Sequence, residues 1–539
     1  MQIIIPMSGF GERFRKEGYD IPKPLIKIDG KTIIHHIIDM FPGEKKFFFI
    51  CNKEHLSNKK YKMRKELLHA CPTGNIIAIN PHRLGPVHAI VKSLNYLDMN
   101  EPTIVNYADF TCYWDYKEFK KEVFINDCDG AIPCYRGFHP HTIWSNYYAY
   151  VKEKNLNLFD IREKKPFTKK PQMEFASSGT YYFKSGTLMK KYFEKCIERK
   201  LSVKKEYYVS MVYKTMIEDN LKIRIFELKH FMQWGTPIDL EEYLYWSKCF
   251  KNILHEKKSN KYNGSLLLPM VGLGKRFQIE GYKTSKPLIK VSGKPMAIQA
   301  INDLPVTKKR VIILRKNMLG IKKFKNILEK DSKRNEYIEI NSMTNGQATT
   351  CVIGSKNLIL NDAVTIAACD NGMIYNNNKL DELIKDSNVD VIVWAIKGYP
   401  GAIRTPNFYG WIDTKKNTNI IKKISVKKPL KNIKNDLIVI GTFTYKRLGN
   451  FIKSVDKMKK RKAKVNNEYY VDTAINDSIE MGLNCVVFEI ESYLCWGTPN
   501  DLKTFNYWQA CFHKWKGHPY KMQKDNNIEN YQKVKNEFL

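Results

Sequence analysis

No stretch of the 539-residue chain approaches the roughly 20 consecutive apolar residues that a membrane span requires, so none is expected. The opening MQIIIP has neither a basic leader nor a long apolar core, and no signal peptide is read there. The twelve cysteines form no CxxC pair, which argues against a zinc site and a disulfide framework. A reducing cytoplasm fits that pattern. Neither a GxGxxG dinucleotide loop nor a GxxxxGK[ST] phosphate loop occurs. Acidic residues are scarce beside basic ones, 55 against 90, for a formal charge of +35. Lysine far outnumbers arginine and is spread along the chain, so the excess reads as compositional or as attraction for small phosphorylated substrates. No nucleic-acid partner is expected from it.

What is present is a packed globular composition, 43% hydrophobic and 12% aromatic, in a chain too long for one core. The phrase PMSGFGERF at 6–14 returns as PMVGLGKRF at 269–277. Aligning 5–30 with 268–293 gives 15 identities in 26 positions at a constant offset of 263. Further pairs follow in the same order: GPVHA with GQATT, NYADF with AACDN, KKPF with KKPL, SGTYYF with IGTFTY, EYYV with EYYV, and WGTPIDL with WGTPNDL. Such a series marks an internal duplication. The expected domains are 1–255 and 265–512, joined by a polar linker at 256–264 and followed by a polar tail at 513–539.

Within each half, short apolar runs ended by Pro and Gly read as buried strands, and TIIHHIIDMF and PMAIQAINDL as helices. Alternation of this kind predicts an α/β fold, a mostly parallel sheet with helices on both faces, and ligands beyond the carboxyl ends of the strands. The Gly loop, Asp109 and Asp370 all fall at such ends. Gly9 and Gly11, and their counterparts Gly272 and Gly274, let the backbone turn with its N–H groups free for phosphate. Arg13 and Arg276, with Lys23 and Lys286 of the Lys-Pro pairs, add fixed cations near the same loops.

GxGxRF followed by KPLI resembles the signature of the sugar-phosphate nucleotidyltransferases, the NDP-sugar pyrophosphorylases, and the resemblance runs through both halves. It implies two tandem Rossmann-like domains that carry an NMP from an NTP to a small phosphomonoester. It also implies Mg²⁺ held by Asp109 and Asp239 in the first half and by Asp370 and Asp501 in the second. Nucleotide contacts carried over by the resemblance are Met7, Gly9, Gly11 and Gly85, then Met270, Gly272, Gly274, Gly346 and Gln347. The acceptor side receives Lys165, Gly179, Glu206 and Arg136, then Lys428, Gly441, Glu468 and Lys397. The catalytic cations are Arg13, Lys23, Arg276 and Lys286. Glu12 and Lys275 stand where the family usually has Ser or Thr, and LGPVHA departs from the family's form in the first half.

The expected partners are an NTP and a small phosphorylated acceptor, with surface-polysaccharide precursors as the default product; a homo-oligomer is compatible with the sequence. Two rivals stay open: one catalytic half beside a binding half, and a glycosyltransferase of related strand-Asp architecture. His139 and His141 read as a histidine-rich surface loop, since no third metal ligand lies near them in sequence.

Overall fold

The computed structural model describes residues 1–255, 260–331 and 334–538. The chain divides into two compact units, Met1–Leu244 and Tyr245–Leu539. The segment expected as a linker, 256–264, lies partly outside the described residues, and a strand already begins at Lys261.

In the first unit the apolar run Gln2–Met7 becomes a strand buried at every position but Pro6. It runs parallel to Lys46–Asn52 on one side and Thr103–Asn106 on the other, with Asn75–Ile79 parallel beyond the former. Past Thr103–Asn106 the direction changes. Thr180–Phe183 inserts antiparallel between that strand and Gly130–Tyr135, and Ile223–Leu228 then runs parallel to the latter. Ala149–Lys154 and Asn157–Glu163 form an antiparallel hairpin. Its two-residue turn, Asn155 and Leu156, has both φ values positive, at 52° and 61°. Such a turn matches strand twist but only joins antiparallel neighbours. The expectation of a mostly parallel sheet is therefore corrected: the sheet is mixed, since Thr180–Phe183 runs antiparallel to both its neighbours and the hairpin turn is too short for a parallel crossover. Helices Gly186–Glu198 and Val209–Glu218 close one core on it, through Tyr192, Phe193, Val212 and Met216 against Ile4, Val105 and Ile132.

In the second unit the strand order is Asn335–Ile340, Val306–Arg315, Lys261–Met270, Val364–Ile366, Leu437–Tyr445, Val391–Ile396 and Cys485–Glu489. Strand by strand this is the order just described, and Leu437–Tyr445 is again the antiparallel insertion. Its core gathers Leu267, Val311, Val393, Phe443, Phe451 and Ile475. The C-terminal segment packs as well: the buried Tyr520 hydroxyl donates to Asp525 at 2.8 Å. Among the described residues no helix is long and apolar enough to cross a membrane.

Candidate nucleotidyl-transfer site

Each Gly loop is fixed by one aromatic anchor. Phe14 and Phe277 are buried against Tyr19 and Tyr282, both at 5.1 Å between ring centroids. The one-turn helices they anchor, Glu12–Lys16 and Lys275–Ile279, carry Arg13 and Arg276 at the residue just before. Gly11 and Gly274 precede those helices with φ of 65°, the left-handed conformation that favours glycine. The Lys-Pro pairs open short 3₁₀ turns whose prolines are buried. The lysine ammonium then meets the strand-end aspartate: Lys23 to Asp109 at 3.1 Å and Lys286 to Asp370 at 2.5 Å.

A two-stranded ribbon delivers the late motif to the same aspartate. Phe110–Tyr113 pairs with His230–Gln233, and Asn371–Ile374 with Ser492–Cys495. Trp234 and Trp496 donate their backbone N–H groups to the carbonyls of Asp109 and Asp370 at 2.8 and 2.9 Å. The close approach needs glycine next: a Cβ on Gly235 would lie 3.2 Å from Asp109 Oδ2. Asp501 completes a capping box, accepting from the Thr498 hydroxyl at 2.7 Å and from its N–H at 3.0 Å. Asp239 likewise accepts from the Thr236 hydroxyl at 2.6 Å. Burial pushes the Asp501 carboxyl up, and the like charge of Asp370 adds to this. For Lys286, burial lowers its pKa, but Asp370 and its neighbours outweigh that and the net shift is upward. Two carboxylates held this close, one of them destabilised by the other, suit a divalent cation completed by substrate oxygens. Among the described residues no group of three metal-ligating side chains occurs, so the protein alone offers no closed metal cage.

Two cavities of the first unit share one wall. The first, about 480 Å³, is lined by the Gly loop from Met7 to Arg13, Lys23, Gly85 and Asp109. The second, about 500 Å³, is lined by Gly179, Lys164, Ser177, Ser178 and Lys204. Arg13, Tyr107, Asp109, Glu206, Tyr208 and Gly235 face both. A Cβ built on Gly9 or Gly11 meets nothing within 4 Å, so the loop opens onto free space.

Several expected residues are placed elsewhere. Lys165 and Lys428 are exposed, and their predecessors take the inward position. Lys164 donates to Tyr208 at 2.5 Å and lies 4.1 Å over its ring. Lys427 feels Asp472, Arg276 and Glu468. Both inward lysines have φ of 58°, a left-handed kink that turns the first lysine of each KKP to the site. Arg136 lines neither cavity of the first unit and pairs with Glu227 at 3.1 Å, and Lys397 pairs with Glu489 at 3.4 Å. His139 and His141 are buried, not a surface loop, packed with Tyr135, Tyr148 and Phe231. Burial lowers the His139 pKa to about 4.

Other site residues went unread in the sequence. Tyr208 and Tyr470 donate to Glu206 and Glu468 from within the repeated EYYV, a signal that was available. His82 and Arg83 line the Gly-loop cavity; Arg83 pairs with Glu12 at 2.5 Å over the Phe10 ring. Gln347 starts a helix at the place where the first unit has Pro86, so the two halves present different groups there.

One titration follows from this geometry. Burial raises the Asp472 carboxyl to about 6 from an ordinary 3.8, with Lys427 pulling the other way. The folded chain therefore keeps a proton that the unfolded chain releases in that window, and this group's contribution to stability falls as pH rises through it. Asp472→Asn is expected to flatten the pH dependence of the second unit's urea midpoint between about pH 4 and 6. An unchanged slope would show that the carboxyl titrates normally.

The site thus combines two carboxylates, a lysine, an arginine and an open Gly loop beside two adjoining cavities, an arrangement for polyanionic substrates. Residues 2–228 match the family model described as Nucleotidyl transferase, an enzyme class that transfers nucleotides. Among solved structures the chain is similar to a nucleoside-diphosphate-sugar pyrophosphorylase from Vibrio cholerae RC9, at 16% identity and a TM-score of 0.37, over 44% of this chain and 98% of that one. It is also similar to the inositol-1-phosphate CTP transferase from T. maritima, at 13% identity and a TM-score of 0.36, over 45% and 94%. No curated protein matches the sequence.

Proposed function

We propose that the chain is a tandem nucleotidyltransferase, each unit moving an NMP from an NTP to a sugar 1-phosphate or similar small phosphomonoester and releasing pyrophosphate. The observation that carries this reading is the shared wall of Arg13 and Asp109 between the two cavities of the first unit. An NTP along the Gly loop and a phosphomonoester beside Lys164 would bring their phosphates together there.

The reaction joins two polyanions, so the demand is for cations and alignment rather than a protein nucleophile. The acceptor phosphate oxygen, already ionised, attacks the α-phosphorus; the new P–O bond forms as the bond to the β-phosphate oxygen breaks, and pyrophosphate departs. No proton has to be removed by the protein. Arg13 and Lys23 face the charge that develops on the triphosphate, and Lys164 faces the acceptor phosphate; Arg276, Lys286 and Lys427 do the same in the second unit. Asp109 with Asp239, and Asp370 with Asp501, would hold Mg²⁺, which would neutralise charge at the phosphates when bound. Supply of precursors for surface polysaccharide, in the cytoplasm, is the role this chemistry fits.

A second reading, one catalytic unit beside a unit that only binds nucleotide, is favoured by one difference. A Cβ on Gly274 would lie 2.9 Å from Lys286 Cβ, while at Gly11 the space is clear. The test is Mg²⁺-dependent pyrophosphate release from CTP, UTP, dTTP, GTP and ATP against a panel of sugar 1-phosphates and small phosphomonoesters. Release that stops on adding EDTA is expected. Silence with every pair would reject nucleotidyl transfer and bring glycosyl transfer forward.

A further inference from the structure

Around the acceptor-side cavity the two halves keep one set of residues and replace another. Kept are the inward lysine (Lys164, Lys427), the glutamate (Glu206, Glu468) and the tyrosine two residues on (Tyr208, Tyr470). The lysine is the group that faces the acceptor phosphate in the reading above. The walls around them change.

The first change is a coupled exchange. In the first unit a carboxylate sits at the end of strand Asn157–Glu163, where Glu163 accepts from Ser210 Oγ at 2.6 Å; Ser210 is the second residue of helix Val209–Glu218. In the second unit the matching strand Ile421–Val426 ends in Val426, and the second residue of helix Val471–Glu480 is Asp472. The carboxylate has moved from strand to helix while the lysine keeps a counter-charge. Gly410 stands where the first unit has Ala149, and a Cβ there would lie 2.5 Å from Asp472 Oδ2. Alanine would not fit, so three positions have changed together.

The second change is in polarity. Ser177 and Ser178 line the first unit's cavity, as do Lys204 and Gln233. The matching positions of the second unit are Val439, Ile440, Asn466 and Cys495. Val439 is placed at the Asp472 carboxylate, since its Cγ2 would be 3.4 Å from the same Cβ on Gly410. Tyr107, 3.2 Å from a Cβ built on Gly179, is replaced by Ala368, 3.4 Å from a Cβ built on Gly441. Buried hydroxyls and amides are left unpaired by a ligand that cannot answer them, and apolar walls reject a ligand that brings hydroxyls of its own.

We propose that the two units act on different acceptors: the first on a phosphomonoester with a polyhydroxylated body, the second on one with a sparsely hydroxylated body that presents a single hydrogen-bond donor to Asp472. This rests on nucleotidyl transfer by both units.

The experiment uses the full chain as two single variants, Asp109→Asn and Asp370→Asn, so that each reports the other unit. Pyrophosphate release is measured with glucose 1-phosphate, 6-deoxyglucose 1-phosphate and 2-aminoethyl phosphate. The Asp370→Asn chain is expected to favour glucose 1-phosphate over 2-aminoethyl phosphate in kcat/KM, and the Asp109→Asn chain to favour the reverse. The two ratios should differ roughly 10–100-fold or more. On the Asp109→Asn background, Asp472→Ser should lower kcat/KM for 2-aminoethyl phosphate more than for 6-deoxyglucose 1-phosphate. Two active variants that rank the three acceptors alike overturn the inference and leave nucleotidyl transfer standing. One variant silent with all three overturns it in favour of a single catalytic unit. A silent wild type removes it together with the reading beneath it.

Discussion

Asp109→Asn is expected to cut pyrophosphate release by the first unit roughly 10²–10³-fold while leaving its melting temperature nearly unchanged. The two halves of that expectation come from different magnitudes. Asp109 accepts from Lys23 at 3.1 Å, with side chains 27% and 21% exposed. A pair this open to water contributes about 0–1 kcal/mol to folding. In the reaction the same carboxylate is a proposed Mg²⁺ ligand and the group that fixes Lys23, and losing one preorganised charge contact there costs about 3–4 kcal/mol of barrier. The matching change in the second unit should behave alike. Lys286 donates to Asp370 at 2.5 Å and to the Gly497 carbonyl at 2.8 Å. Its raised pKa depends on Asp370 against the opposing pull of burial. Lys286 and Asp370 are as open to water as the first pair, so Asp370→Asn, which leaves the ammonium with the Gly497 carbonyl, is expected to silence the second unit at a folding cost of about 0–1 kcal/mol. The two variants, followed by pyrophosphate assay and by calorimetry, would then separate rate from stability. If the Asp109, Asp370 double variant still turns over at the wild-type rate, the strand-end aspartates lie outside the reacting site.

That the meeting of the strand-end aspartates with the Lys-Pro lysines was readable in the sequence, and the inward lysine of each KKP was not, has a physical cause. Gly11, Arg13, Lys23 and Asp109 belong to short phrases whose local structure is set by the phrase itself: a left-handed glycine, a buried Phe, a 3₁₀ turn opened by Lys-Pro. Their meeting follows from the strand order. In KKP, by contrast, both lysines satisfy the pattern, and only φ of 58° at the first decides that Lys164 and Lys427 turn inward. Backbone sign at a lysine leaves no trace in composition. The ion pair of Arg136 was hidden for a long-range reason. Strand Ile223–Leu228 lies in register beside Gly130–Tyr135 and brings Glu227 to Arg136, an ion pair between positions 91 residues apart. The mixed direction of the sheet was hidden in the same way, since apolar runs mark strands without marking their sense. The histidines were misread because a His-rich run looks polar, yet His139 and His141 fill an aromatic cluster around Tyr135 and Phe231.

Gly346→Ala is expected to be among the most damaging single-methyl changes in the second unit. Gly346 has φ of 119° and ψ of 170°, a region open essentially to glycine alone. A Cβ there would lie 2.5 Å from the backbone N of Tyr469 and 2.6 Å from its O. Backbone cannot swing aside as a side chain would. The strain of about 1–3 kcal/mol and an overpacking cost of about 1–3 kcal/mol then add. At this size a loss of that order lowers the melting temperature by roughly 5–15 °C. In the proposed reaction the same contact would also matter. Tyr469 donates to the Asn345 carbonyl at 2.7 Å and accepts from Ala348 at 3.1 Å, so EYYV is fastened beside this glycine to the helix Gln347–Gly354. Forcing the two apart moves Glu468 and Tyr470 with the strap, and the KM for acceptor should rise in whatever fraction stays folded. Gly272→Ala is the control: its Cβ meets nothing within 4 Å and its φ is not positive, so its melting temperature should match wild type. That alanine nevertheless projects from the loop proposed to hold the triphosphate, and the KM for NTP should rise. A Gly346→Ala chain that melts like wild type would mean that the strap is not fastened there in solution. A Gly272→Ala chain with unaltered KM would mean that the nucleotide does not approach the loop.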